Sequence, residues 1–289
     1  MTEVHDGRRA IELQGFSYLP QFISKDEAAQ LISYFGQVHP LWERRHHGRN
    51  FARDVEHPRR LTRPVYWLGA WQFACLGYYS EPKHREERCV RAEPLPPLMQ
   101  DILARLGQVL CRDHSTPESL EEIRPLNEHS GLPNTCLINY YGRQVGDSVP
   151  VDFARLRMHR DGEIGPVIML SIGQPGLLEF IDPDQSDTPE LSIWTRHRSI
   201  CILSGPEFKE RLYHRVSKVR TGAIPAISSS LKNFEVRRVS VSFRHVPEEL
   251  IDEYSELPLE KRGMIRDYLA ELSESSEHFR AALAKESES

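Results

Sequence analysis

The chain has 289 residues, 39% hydrophobic and 27% charged, a composition that suits one large globular domain with polar extensions and includes no apolar run of membrane-spanning length. A net charge of −5 excludes a chain-wide cationic field for nucleic acid, and the five scattered cysteines, never in C-x-x-C pairs, exclude a zinc ribbon or dithiol redox motif. Reduced thiols, and charges in the opening MTEVHDGRRAIELQ where a secretory leader needs an apolar stretch, lead us to expect an intracellular protein, cytoplasmic or, in a eukaryote, nuclear.

Ser24 and Glu27 form a capping-box pattern, and Ala28, Leu31, Ile32 and Phe35 follow at helical spacing, so a helix is expected to begin there and to end at Gly36. The next segment, Trp42 to Arg63, carries seven arginines against three acids, a local cationic excess in an acidic chain; charge alone favours a solvated loop. A second helix is expected from Pro97, with Leu98, Ile102, Leu106 and Val109 on one face.

From Asn134 to Val246 the texture changes to short β-branched and apolar runs, TCLINYY, PVIMLSIG, LLEFI, SICILSG and RRVSVSFRHV, separated by Gly, Pro and Asp. Many strands without intervening helices predict an antiparallel sandwich or barrel. Beyond Pro247, Met264, Ile265, Tyr268, Leu269 and Leu272 form a third helical stripe, and the charged end is expected to fray. The expected organisation is therefore helices and a substrate lid over 1–133, a β core over 134–246 and a helical extension with a disordered tail over 247–289.

Within RMHRDGE, His159 and Asp161 lie two apart in an extended run, so both side chains face one side of a strand. An imidazole and a carboxylate together make two thirds of a metal site, and His214 in RLYHRV is the candidate third ligand, with His197 its rival. Two histidines and one carboxylate form the facial triad of non-haem ferrous enzymes, which leaves coordination positions open. In RVSVSFR, Arg238, Ser240, Ser242 and Arg244 alternate with Val239, Val241 and Phe243, so one strand face holds two guanidinium groups roughly 20 Å apart along the backbone. Leaning inward, they could meet both ends of a small dicarboxylate, which guanidinium forks match bidentately.

Taken together, Asn139-x-Tyr141, His159-x-Asp161, LSIG ending at Gly173, His214 and Arg238-x5-Arg244 resemble the AlkB family of iron and 2-oxoglutarate dependent dioxygenases. The resemblance implies a mainly β protein with flanking helices, built on a double-stranded β-helix or jelly roll. It implies that His159, Asp161 and His214 ligate ferrous iron, that Arg238 binds the distal carboxylate of 2-oxoglutarate, and that Asn139, Tyr141, Ser240 and Arg244 make further contacts around it. Ser240 stands where some members have Asn, and its hydroxyl offers fewer hydrogen bonds. The stretch Gly142 to Met158 is longer than the family's usual link before the first ligand His.

The same resemblance implies O2 as co-substrate and a nucleic acid as substrate. Glu163, four positions after His159, occupies the place where nucleic-acid-acting members carry an acid facing a methylated base. GAWQFACLGYYS resembles their lid, with Trp71 at the base-stacking position, Trp67 as its competitor, and Tyr78 near the strand backbone. On that reading Arg44 to Arg63, including Arg59 and Arg60, contact phosphates, and an extruded base is recovered by stacking. The implied reaction is oxidative dealkylation of N-alkylated bases, repair-type, with release of succinate, CO2 and formaldehyde. The alternatives are the same chemistry on a protein, lipid, small molecule or RNA-modification intermediate, and a jelly-roll binding module without catalysis. A monomer that does not engage membranes is the default expectation.

Overall fold

Two β-sheets facing one another give the protein its core, and the chain crosses from one to the other repeatedly. The computed structural model describes residues 4–42, 44–45, 59–60, 63–72, 89–113, 133–146, 150–161, 165–222, 224 and 226–286. Among these we label β1 (Phe16–Leu19), α1 (Lys25–Gln37), α2 (Pro97–Asp113), β2 (Thr135–Gln144), β3 (Leu156–His159), β4 (Val167–Gly173), β5 (Gly176–Ile181), β6 (Leu191–Thr195), β7 (Ser199–Leu203), β8 (Tyr213–Val219), β9 (Phe234–Arg244), α3 (Leu259–Ser273) and α4 (Glu277–Glu286).

The larger sheet runs Val151–Asp152, β2, β9, β4, β7, β1, Ile11–Leu13, and Val65–Leu68 also pairs with β2. The smaller runs Val4–His5, β6, β5, β8, β3. Successive core strands from β3 to β9 alternate between sheets except at the β5–β6 hairpin, which is the winding of a jelly roll. The expected double-stranded β-helix is therefore the observed architecture.

Period-two alternation decides which side chains fill which layer. On β9, Val239, Val241 and Phe243 turn outward into a large apolar cluster with Leu31 and Phe35 of α1, Ile102 and Leu106 of α2, and Ile168, Leu170 and Ile172 of β4. The intervening Arg238, Ser240, Ser242 and Arg244 line a cavity between the sheets. A second apolar cluster seals the rest of that space, with Phe16, Tyr18, Val167, Leu178, Phe180, Ile193 and Leu203. Gly173 closes β4 at φ +91°, and a Cβ there would lie 2.5 Å from the Arg237 carbonyl oxygen, so the tight turn into β5 requires glycine.

The capping box at Ser24 is present, with the Ser24 Oγ accepting from Glu27 N and the Glu27 carboxylate accepting from Ser24 N. The helix does not end at Gly36 as expected but continues to Gln37. The backbone of Ser228 approaches Gly36, whose added Cβ would meet the Ser228 carbonyl at 3.3 Å, so this glycine serves a close contact and not a stop.

The C-terminal stripe forms α3, with Ile265, Tyr268, Leu269 and Leu272 buried. Of the end expected to fray, Glu277–Glu286 form α4, because Phe279 is buried and Ala282 and Leu283, three and four positions on, pack against the same cluster, while residues 287–289 lie outside the described residues. The long Gly142 to Met158 link folds back on β2: Val151 and Asp152 pair with Gln144 and Arg143, and the Phe153 ring meets Trp42 at 4.8 Å.

Candidate metal centre and co-substrate pocket

Strands β3 and β8 are neighbours in the smaller sheet, and their register places His159 opposite His214, with an irregularity between Leu156 and His159. The two imidazole centroids are 4.3 Å apart. Asp161, just past β3, brings Oδ2 to 3.4 Å from His214 Nε2. One donor atom from each of His159, Asp161 and His214 lies within 4.8 Å of the others. Donors on one divalent ion, each about 2.1 Å from it, are separated by about 3 to 4 Å, so a small inward adjustment suits all three to a single ferrous ion. Among the described residues this is the one cluster of its kind.

The hydrogen bonding around the triad sets its protonation. His159 Nδ1 lies 2.9 Å from the Arg157 carbonyl oxygen, which favours the tautomer with Nε2 as the ligating atom. Burial, reinforced by the neighbouring His214, pushes the His159 imidazole down to about 3, so it is neutral with a lone pair to donate. Burial opposes the charge on Asp161, yet the Arg244 guanidinium and the hydrogen bond from His214 outweigh it and hold the carboxyl well below the usual range. Arg244 Nη2 donates to Asp161 Oδ1 at 2.7 Å.

The segment bearing Asp161 is tied to the turn that leads into β8. Arg160 stacks over the Tyr213 ring at 4.3 Å and donates to the Glu210 carbonyl. Glu207–Arg211 is a single π-helical turn, a form met at functional sites. Arg211 holds that turn to the sheet through Asp182 and Glu190.

Arg238 is a further fixed charge of the pocket. It is 2% exposed, and no carboxylate among the described residues pairs with it. Its Nη2 donates to Ser171 Oγ at 2.7 Å and Thr195 Oγ1 at 2.9 Å, its Nη1 to the Thr195 carbonyl at 3.0 Å, while Nε has no partner among the described residues. Gly176 makes room for it, since a Cβ there would lie 2.9 Å from Arg238 Nε. Burial lowers its pKa, yet a guanidinium stays charged, and an uncompensated buried cation costs several kcal/mol. Such a site calls for an anion.

Asn139, Tyr141, Ser240 and Arg244 line the same cavity, so the structure brings together all the residues expected around metal and co-substrate. Ser240 sits in register between Asn139 and Ser171. Thr195 and Ser171, which hold Arg238, were not singled out from the sequence; their signal was an inward-facing hydroxyl in an otherwise apolar strand. Arg63 was missed too, read as one of a run of phosphate contacts. It is 7% exposed, and its Nε donates to Asn139 Oδ1 at 2.8 Å.

Other expectations are corrected or fall elsewhere. His197 is not a ligand, since its Nδ1 accepts from Gly173 N at 3.1 Å, at the turn after β4. Trp71 offers no open face for a base: it is 1% exposed and meets Tyr268 of α3 edge-on at 5.7 Å. Trp67, 8% exposed, belongs to the same core. Tyr268 of α3 covers Trp71, and Leu272 and Phe279 line the same small cleft as both tryptophans. Tyr78 and Glu163 lie outside the described residues. Of the basic run, Arg44–Arg45 and Arg59–Arg60 form a two-stranded antiparallel ribbon.

Comparison of the fold with solved structures finds OsALKBH1, at 15% identity and TM-score 0.49, covering 82% of this chain and 100% of that one. It also finds an oxidoreductase of the 2OG-Fe(II) oxygenase family from Burkholderia pseudomallei, at 14% identity and TM-score 0.44, covering 86% and 97% of the two chains. NgTET1 in complex with 5mC DNA aligns at 13% identity and TM-score 0.43, covering 85% of this chain and 80% of that one. No curated protein matches the chain. The family model of the 2OG-Fe(II) oxygenase superfamily matches residues 15–244, which contain the whole triad and the arginine pocket; the chain belongs to that superfamily and is a dioxygenase that uses Fe(II), 2-oxoglutarate and O2.

Proposed function

We propose that this dioxygenase is of the AlkB type and dealkylates N-alkylated bases in nucleic acid. Its own residues prepare the site. His159, Asp161 and His214 would hold the iron, and a triad of protein ligands leaves coordination positions open for co-substrate and oxygen. Arg238, kept in place by Ser171 and Thr195, receives the distal carboxylate of 2-oxoglutarate, and Arg244 keeps Asp161 ionised. The inward hydroxyl and amide groups of Ser240 and Asn139 give the pocket further polar contacts. With iron, 2-oxoglutarate and O2 bound, one oxygen atom would end in succinate alongside CO2 and the other would hydroxylate the N-alkyl carbon, and the resulting hemiaminal of an N-methyl base collapses to the free N–H and formaldehyde.

The observation that carries the nucleic-acid part is the arginine ribbon. Arg44 pairs opposite Arg60 and Arg45 opposite Arg59. The two strands belong to a segment with seven arginines against three acids, and arginine in such density is the usual source of phosphate contacts. Tyr78 and Glu163 complete the reading as lid and base-facing residues.

The burial of Trp71 favours a second reading, the same oxidation on a protein, lipid or small molecule, because it removes the expected stacking surface. Succinate and formaldehyde are to be measured with iron, 2-oxoglutarate and oligonucleotides carrying methylated adenine or cytosine. The first reading expects oligonucleotide-dependent succinate and stoichiometric formaldehyde, abolished by His159→Ala or Asp161→Ala. Succinate release that no oligonucleotide stimulates would leave the second.

A further inference from the structure

Arg63 enters the pocket from outside the jelly roll. It lies two residues before Val65, which pairs in register with Asn139 on β2. Its Nε donates to Asn139 Oδ1 at 2.8 Å, and its guanidinium carbon lies 5.6 Å from the centre of the Tyr141 ring. Arg238 lies 6.0 Å from the same ring. Tyr141 is thus common to two cations that reach the cavity from different parts of the chain.

A guanidinium has donors and no acceptor, so Asn139 must turn its carbonyl oxygen toward Arg63 and its NH2 the other way. The partner of that NH2 is the Leu137 carbonyl at 3.5 Å, at the outer limit of a hydrogen bond. The amide donors therefore remain available to an oxygen-rich ligand. In the flipped orientation Asn139 would present an oxygen to a carboxylate and repel it.

We propose that Arg63 is a positioning residue for 2-oxoglutarate, locking the Asn139 amide in the orientation that donates to the co-substrate. The inference rests on the reading that this pocket takes 2-oxoglutarate. It sets Arg63 apart from the basic run that precedes it, because a side chain 7% exposed between Asn139 and Tyr141 is buried in the pocket wall and is not a solvent-facing phosphate contact.

The test uses the full chain loaded with Mn2+ under anaerobic conditions, with 2-oxoglutarate binding followed by calorimetry and Mn2+ binding titrated separately. Wild-type binding of 2-oxoglutarate is the first requirement; its absence overturns the pocket reading itself and with it the role of Arg63. With that in place, Arg63→Met weakens 2-oxoglutarate about tenfold, equal to about 1.4 kcal/mol, and leaves Mn2+ affinity unchanged. Arg63→Lys, which keeps a cationic donor and the apolar stem, recovers much of the loss, and Arg63→Gln, polar but uncharged and shorter, replaces the Met variant with the same expected loss if that variant does not fold. Asn139→Ala adds little on top of Arg63→Met, since both remove one device. Unchanged 2-oxoglutarate affinity in Arg63→Met, additive losses in the double variant, or a parallel loss of Mn2+ would overturn the proposal.

Discussion

Arg244 and Asp161 share a hydrogen bond of 2.7 Å between elements 83 positions apart in the chain, so the last strand of the jelly roll holds the carboxylate of the triad. One oxygen of Asp161 serves Arg244 while the other faces His214. This division keeps the carboxyl ionised and fixes which oxygen is left for the metal.

Replacing Arg244 with Met is expected to weaken ferrous binding by about 10–100-fold, the usual consequence of removing a group that orients a ligand. Arg244→Lys restores part of it, because a charge returns without the planar fork. Anaerobic titration of Fe(II) into the purified variants reads this directly, and undiminished affinity in Arg244→Met would contradict the assignment.

Gly176→Ala is expected to act on the co-substrate and spare the metal. The new methyl would lie 2.9 Å from Arg238 Nε, so the guanidinium must shift from Ser171 and Thr195. The KM for 2-oxoglutarate should rise by roughly tenfold, equivalent to one hydrogen-bonded contact of about 1.4 kcal/mol. Steady-state succinate assays at varied 2-oxoglutarate would show it, and an equal fall in Fe(II) affinity would point to a wider collapse.

Trp71→Ala is expected to destabilise the fold by about 3–5 kcal/mol, the cost of emptying a core aromatic site. Urea unfolding measures that cost, while activity per folded molecule on an oligonucleotide should hold. A variant of wild-type stability with a selectively raised oligonucleotide KM would restore Trp71 to the substrate surface.

Glu27 carries an acid-sensitive part of the stability. Hydrogen bonding from Arg105 and from Ser24 outweighs burial and holds its carboxyl below the usual value of 4.5. A carboxyl depressed in the folded state binds fewer protons there than when unfolded, so its contribution is present above pH 4.5 and is lost as pH falls through the folded value. Glu27→Gln should therefore cost about 0.3–1 kcal/mol at pH 7, the worth of a carboxylate charge in the first helical turn, and less at an acid pH well below 4.5. Urea melts of both proteins at the two pH values check it, and an equal difference at both would remove the linkage.

Much of the site was legible because its parts obey short-range rules. His159 and Asp161 are two apart on an extended segment, and Arg238, Ser240, Ser242 and Arg244 share a strand face through the same period. Those relations need only the strand pleat. Arg63 was not legible, because nothing in a run of seven arginines marks the one that turns inward. Trp71 was misread for the converse reason: an aromatic beside a lid-like motif looks the same whether solvent or a helix covers it. The helix that covers it, α3, begins almost 190 residues later, at Leu259.

The chemistry could be read from the amino acids alone, because ligand types, their order, the arginine spacing and the β texture are local properties of side chains on a pleated backbone. Which distant groups meet depends on the folded chain: His214 and not His197 stands opposite His159, Arg63 joins the pocket, and Tyr268 of α3 covers Trp71. The physical reason is that strand pairing across a jelly roll is non-local. Register between β3 and β8, or between Val65 and Asn139, is set by burial of whole faces over many residues, and no short stretch of the chain encodes it.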